Sequence, residues 1–106
     1  MRFGLIGTGF MGKAHAIALH SVATVFPEVT APELTCLVDL DPDKCARDAL
    51  AWGFARSSDD WRSVCNDTNI DVIDICTPNN LHKEMALAAA AAGKHIYCFC
   101  VGYFSC

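Results

Sequence analysis

The stretch Gly7-Thr8-Gly9-Phe10-Met11-Gly12 places three glycines where an apolar run gives way to a helical pattern. Glycine weakens the interiors of both strands and helices, so three of them at one junction need a purpose. Each spacing answers a different demand. Gly7 lets the chain turn tightly after a strand, Gly9 leaves room for a pyrophosphate against the backbone, and Gly12 lets the next helix pack close to the strand. The unpaired N–H groups of that helix's first turn, with its dipole, favour negative charge at the same point. The motif alone is a weak signal. A strand before it and a helix after it are the context that makes it a dinucleotide-binding turn.

A second group belongs to the same chemistry. The adenosine ribose of a dinucleotide lies at the end of the next strand, held by an acid that accepts hydrogen bonds from its hydroxyls. Asp39 stands there, at the end of the apolar run Leu34 to Leu40. It follows Gly12 by 27 residues against a usual spacing of about 20, and the loop from Pro27 to Glu33 accounts for most of the excess. Asp41 and Asp43 compete for the role, but a helix cap explains Asp41 better. No arginine stands immediately after Asp39 to receive a 2′-phosphate, which favours NAD over NADP. Lys44 and Arg47, a turn further on, keep NADP as the alternative.

The elements that must position these groups alternate in kind. Arg2 to Gly7 is a short apolar run ended by glycine and reads as a buried strand. From Phe10 to about Val25, Met11, Ala14, Ile17, Ala18 and Val22 recur at helical spacing. A strand over Leu34 to Leu40 leads to a helix with Asp41 as N-cap and Pro42 as first residue, stopping at Gly53. Phe54 to Arg56 reads as a short third strand, and Ser58-Asp59-Asp60 as the cap of a third helix. Val72 to Cys76 is a fourth strand. A helix capped by Asn79 or Asn80 follows, closed by Gly93 in the left-handed region, and His95 to Cys98 begins a fifth strand. Short apolar strands alternating with amphipathic helices predict an α/β fold: a Rossmann-type, doubly wound parallel sheet of about five strands with helices on both faces.

Composition limits the alternatives. The chain has 106 residues, 53% hydrophobic and 19% charged, with a net charge of −4. This suits one globular domain and gives no electrostatic footprint for nucleic acid. No apolar run reaches the 18 to 20 residues, roughly, of a membrane span. The N-terminus enters a strand at once, without the pattern of a signal peptide. Seven cysteines, at 36, 45, 65, 76, 98, 100 and 106, lack framework spacing. They read as reduced core thiols of a cytoplasmic protein. His95, Cys98, Cys100 and Cys106 are soft ligands without the paired spacing of a zinc site, so no metal is expected there.

Three longer stretches make the chain recognisable: "RFGLIGTGFMGKAHA", "CLVDLDPDKCARDALAWG" and "DVIDICTPNNLHKEMALAAAAAGKHIYC". Together they resemble the N-terminal half of the glucose–fructose oxidoreductase / inositol dehydrogenase (Gfo/Idh/MocA) family, with the myo-inositol dehydrogenases nearest in flavour. The resemblance implies an NAD(P)-binding Rossmann domain over residues 1–98, normally followed by an α+β domain that holds a sugar or polyol. It matches Gly7, Gly9 and Gly12, with the amides of Phe10 and Met11, to the phosphate loop, and Asp39 to the ribose acid. It matches Thr77, Pro78, Asn79 and Asn80 to the loop that passes the nicotinamide ribose. His82 also fits the family pattern, and a packing role suits it better than catalysis. His15 reads as structural too.

The match ends at Cys98. The family continues with Glu-Lys-Pro, whose lysine reaches cofactor and substrate, whereas here Phe99, Cys100 and Val101 follow. Residues 99–106 are therefore expected to be a non-family tail. The chain is expected to hold the cofactor half of a sugar or polyol dehydrogenase, truncated, without turnover of its own. A stand-alone NAD-binding module and a non-functional truncated product are the competing readings. An uncovered fifth strand would favour self-association through its edge.

Overall fold

The computed structural model describes residues 1–25, 28, 30–77 and 79–98, with backbone only at 23, 24, 79–81 and 98. Pro78, the tail 99–106 and residues 26, 27 and 29 lie outside the described residues. The elements run β1 (Arg2–Ile6), α1 (Phe10–Val25), β2 (Glu33–Val38), α2 (Pro42–Trp52), β3 (Arg56–Ser58), α3 (Trp61–Cys65), β4 (Val72–Ile75), α4 (Asn79–Ala91) and β5 (His95–Cys98). All five strands pair in parallel, in the order β3-β2-β1-β4-β5. The order reverses at β1, since β2 and β4 flank it on opposite sides.

Local chemistry explains most boundaries. The Asp41 carboxylate accepts hydrogen bonds from the N–H groups of Asp43 and Lys44 at 3.1 and 3.2 Å and starts α2. Gly53 ends it at φ +78°, and the Phe54 N–H reaches back to the Ala49 carbonyl at 2.8 Å. Gly93 closes α4 in the same way, with the Lys94 N–H on the Ala89 carbonyl and the Gly93 N–H on that of Ala90. Asp60 caps α3 through the N–H groups of Arg62 and Ser63.

Several boundaries differ from the sequence reading, β1, β2 and β4 by one or two residues at an end, and three have a clear cause. β3 begins at Arg56 rather than Phe54, because Phe54 completes the α2 cap and plugs the core while the Ala55 N–H bonds the Leu34 carbonyl. β2 ends at Val38, because Asp39 turns its carboxylate to cap the Leu40 N–H, leaving Leu40 exposed. Asn79 is the first residue of α4, and Asn80 follows inside it, so neither is the flanking cap.

The sheet's two faces carry separate cores. On one, Leu5 and Leu37 pack with Ala16 and Leu19 of α1 and with Cys45 and Ala49 of α2. On the other, Ile6, Cys36, Val38, Ile73 and Ile75 pack with Val64 and Cys65 of α3 and with Met85 and Ala89 of α4. Neighbouring strand residues thus point to opposite cores, as the alternation along a strand requires. Cys36, Cys45 and Cys65 are buried free thiols. Burial pushes the Cys36 thiol up to about 11 and raises those of Cys45 and Cys65, which keeps them protonated and inert at neutral pH. β5 exposes Ile96 and Tyr97. Among the described residues no helix is long and apolar enough to cross a membrane.

At the amino ends of the strands, Arg2 forks onto Asp71 with Nε and Nη2 each 3.1 Å from a carboxylate oxygen. The Arg2 backbone N–H adds a third bond at 2.9 Å. These bonds and the guanidinium charge hold the Asp71 carboxyl at about 2, below its usual 3.8. A depressed carboxyl stabilises the fold above its ordinary value, and that contribution is lost as pH falls toward the folded one. Urea unfolding at pH 5 should therefore show Asp71→Asn less stable than the unmodified chain, with the gap shrinking between about pH 4 and pH 2.

Candidate dinucleotide site

The carboxyl ends of β1, β2 and β4 meet where the strand order reverses. The Gly7 N–H bonds the Val38 carbonyl and the Cys76 N–H the Ile6 carbonyl, both at 2.8 Å, which draws the three loops together. Gly7 has φ +110°, and a Cβ there would stand 2.8 Å from the Cys76 carbonyl oxygen. Neither backbone nor space admits a side chain. At Gly12 a Cβ would lie 2.0 Å from the Gly7 carbonyl oxygen, so the first turn of α1 rests directly on the strand-to-helix turn. At Gly9 a Cβ would meet nothing within 4 Å. Gly9 faces open space, as a position kept clear for a ligand would. The first intrahelical bond, from the Lys13 N–H to the Gly9 carbonyl at 3.0 Å, leaves the N–H groups of Phe10, Met11 and Gly12 outside the helix ladder. Phe10 is exposed and Met11 half-buried beside them.

Asp39 comes to this turn from β2. Its Oδ2 accepts the Thr8 N–H at 2.8 Å and the Thr8 hydroxyl, and its Oδ1 accepts the Leu40 N–H at 2.6 Å. Burial alone would raise this carboxyl. The bonds from Thr8 and Leu40 and the nearby Lys44 charge outweigh it and hold the group below the ordinary carboxylate range. Asp39 is thus an ionised acceptor at neutral pH. A carboxylate has about four acceptor positions, so the three bonds do not exhaust it.

Thr8 is a contributor that spacing did not reveal, and Lys44, weighed in the sequence only as a partner for a 2′-phosphate, turns out to hold it. Lys44 Nζ lies 2.9 Å from the Thr8 hydroxyl oxygen, 3.2 Å from the Thr8 carbonyl and 2.6 Å from Asp48 Oδ2. Thr8 occupies a variable place in the glycine pattern, where no rule selects it. Of the loop after β4, Thr77 is half-buried with its hydroxyl 3.5 Å from Met85 Sδ. Asn79 and Asn80 open α4 at the same end of the sheet, and Pro78 lies outside the described residues. His82 is buried on α4, which suits a packing role. His15 leaves the glycine turn altogether and pairs with Asp74 of β4.

A parallel sheet whose strand order reverses at a glycine turn and a helix N-terminus defines the Rossmann class of α/β domains. The chain belongs to the oxidoreductase family with an NAD-binding Rossmann fold, the Gfo/Idh/MocA family, whose model matches residues 1–98. It is 46% identical over 99 residues to the levoglucosan dehydrogenase of Pseudarthrobacter phenanthrenivorans, covering 92% of this chain and 25% of that enzyme. Identity to the inositol 2-dehydrogenase/D-chiro-inositol 3-dehydrogenase of Lactiplantibacillus plantarum is 32% over 99 residues, covering 92% and 26%. A solved levoglucosan dehydrogenase in complex with NADH superposes with a TM-score of 0.90 at 45% identity, covering 92% and 27%. The chain thus spans about a quarter of the length of these relatives. The likeness runs higher to the levoglucosan enzyme than to the inositol one.

The two helix-turn glycines should separate in their effect on folding. Gly12→Ala is expected to destabilise by about 3 kcal/mol, from backbone overpacking. Gly9→Ala is expected to leave the urea midpoint nearly unchanged.

Proposed function

We propose that residues 1–98 are the cofactor-binding domain of an NAD-dependent dehydrogenase acting on a CH–OH group of a sugar or polyol, with residues 99–106 outside that domain. The open space at Gly9, beside a helix N-terminus and an ionised Asp39, carries this reading. In it, the pyrophosphate lies over Gly7, Gly9 and Gly12 and accepts from the amides of Phe10 and Met11. Asp39 accepts from the adenosine ribose hydroxyls with the acceptor capacity that Thr8 and Leu40 leave. Thr77, Pro78, Asn79 and Asn80 form the nicotinamide side. When bound, NAD supplies the hydride acceptor.

NAD is favoured over NADP because an ionised Asp39 would repel a 2′-phosphate. Lys44 offers little relief, since it is held by Thr8 and Asp48. The similarity to the levoglucosan enzyme supports an anhydrosugar or related polyol as substrate class, with inositols next. Self-association through β5 belongs to the same proposal, supported by the exposed Ile96 and Tyr97 at the sheet edge.

Calorimetric titration with NAD tests the assignment. Gly9→Val should keep the native circular dichroism spectrum and lose NAD binding, and undiminished affinity would remove the site from this turn. Asp39→Asn should weaken NAD by about tenfold or more, the worth of a hydrogen bond to a charged acceptor, and narrow its lead over NADP.

Dehydrogenation also needs a base within reach of the hydroxyl proton and a substrate held against the cofactor. The lysine of the family's Glu-Lys-Pro is replaced here, Phe99 and Cys100 following Cys98. The 106-residue chain is therefore expected to bind NAD and to form no NADH above the buffer control with levoglucosan or myo-inositol.

A further inference from the structure

On the sheet face that α1 only partly covers, three side chains from distant parts of the chain converge. His15 Nδ1 lies 2.8 and 3.0 Å from the two oxygens of Asp74. The Cys76 Sγ lies 3.3 Å from the same Nδ1 and 3.5 Å from Asp74 Oδ1. Asp74 is 2% exposed, so its carboxylate needs partners within the protein. Beside the cluster runs a cleft of about 580 Å³, lined by His15, Asp74 and Tyr97 with Phe3, Leu19 and Val22 among others.

Two arrangements of Cys, His and Asp must be told apart. A proton relay uses both imidazole nitrogens, one toward the thiol and the other toward the carboxylate. Here thiol and carboxylate meet the same nitrogen, so His15 does not stand between them. The three atoms instead form a triangle around one point. Around a tetrahedral zinc ion, with Zn–N and Zn–O near 2.0 Å and Zn–S near 2.3 Å, ligand atoms stand about 3.3 to 3.5 Å apart. The two sides that meet at the Cys76 sulfur already have that length, and the side from Nδ1 to Oδ1, at 3.0 Å, is short by about 0.3 Å.

We propose that His15 Nδ1, an Asp74 oxygen and Cys76 Sγ form a binding site for a borderline divalent cation of the zinc type, with a cleft water as fourth ligand. Thiolate and carboxylate together balance the ion's two charges, and the imidazole binds neutral. Binding releases the Cys76 thiol proton to solvent. The ion ties α1 to β4 behind the glycine turn, which gives it a structural role apart from the cofactor groups. Burial raises the Asp74 carboxyl, with His15 and Cys76 drawing it part of the way back, and a cation would satisfy the same charge more fully.

The test uses the full chain and Co²⁺ or Zn²⁺ alone. Co²⁺ titration should give one equivalent bound, with a thiolate-to-cobalt charge-transfer band and the intense visible bands of tetrahedral cobalt. Cys76→Ser should abolish the charge-transfer band. His15→Asn should weaken binding at least about tenfold, the loss that even an outer-shell partner produces. Both variants are checked by circular dichroism. Should Cys76→Ser fail to fold, alkylation of the unmodified chain decides. Mass spectrometry should show Zn²⁺ slowing modification at Cys76, because the bound ion occupies the thiolate that would react. A charge-transfer band that persists in folded Cys76→Ser, or equal Cys76 alkylation with and without Zn²⁺, would reduce the cluster to a hydrogen-bonded core pair.

Discussion

The contact of α1 with the end of β1 organises the rest of this domain. With only a hydrogen at residue 12, the helix begins directly against the Gly7 carbonyl, where a methyl group would stand 2.0 Å from the oxygen. That approach directs the unpaired N–H groups of the first turn at the crevice where the strand order reverses. It also sets the height at which α1 crosses the sheet, so that Ala16 packs on one core and His15 reaches β4. Gly7 is held by the same geometry from the other side, where a Cβ would stand 2.8 Å from the Cys76 carbonyl oxygen. A loop with side chains at these two positions would lift the helix and dissolve the site with it.

Charge is arranged around that contact as a chain of opposing terms. Burial works against an ionised Asp39, and hydrogen bonds from Thr8 and Leu40 with the Lys44 charge overcome it. Thr8 is the hinge of the arrangement. Its N–H and hydroxyl both serve Asp39, while its carbonyl and hydroxyl oxygens accept from Lys44. The glycine turn is therefore fastened to the ends of β2 and the start of α2 before any ligand arrives, which lowers the ordering cost of binding one. At the opposite end of the sheet the Arg2–Asp71 fork fastens β1 to β4 in similar fashion.

Much of what depends on residues a few positions apart was legible in the sequence, though the end of β2 at Val38 and the start of α4 at Asn79 were not. Asp41 before Pro42, Gly53 after Trp52 and Gly93 after the alanine run act through hydrogen bonds inside one turn, and the structure has these ends where the residues placed them. The tight turn expected at Gly7 and the close packing expected at Gly12 are also present, the first with φ +110° and the Cys76 carbonyl, the second with the Gly7 carbonyl in the way of a side chain. The start of β3 was not legible. Phe54 is apolar enough for a strand, and only the competing claims of the α2 cap and the core move the pairing on to Arg56.

By itself, then, the sequence determined the order of strands and helices along the chain, the caps of α2 and α3, the close of α4 and the glycine turn, because short-range sterics and hydrogen bonding decide those. The tertiary structure alone decided which distant side chains share a charge. Thr8 and Asp39 are 31 residues apart, and His15 lies 59 and 61 residues from Asp74 and Cys76. Their meeting rests on strand order, on the register of β1 against its two neighbours, and on the helix height set at Gly12. None of these quantities is a property of any one segment. Each exists only once the sheet has closed and α1 has settled on it.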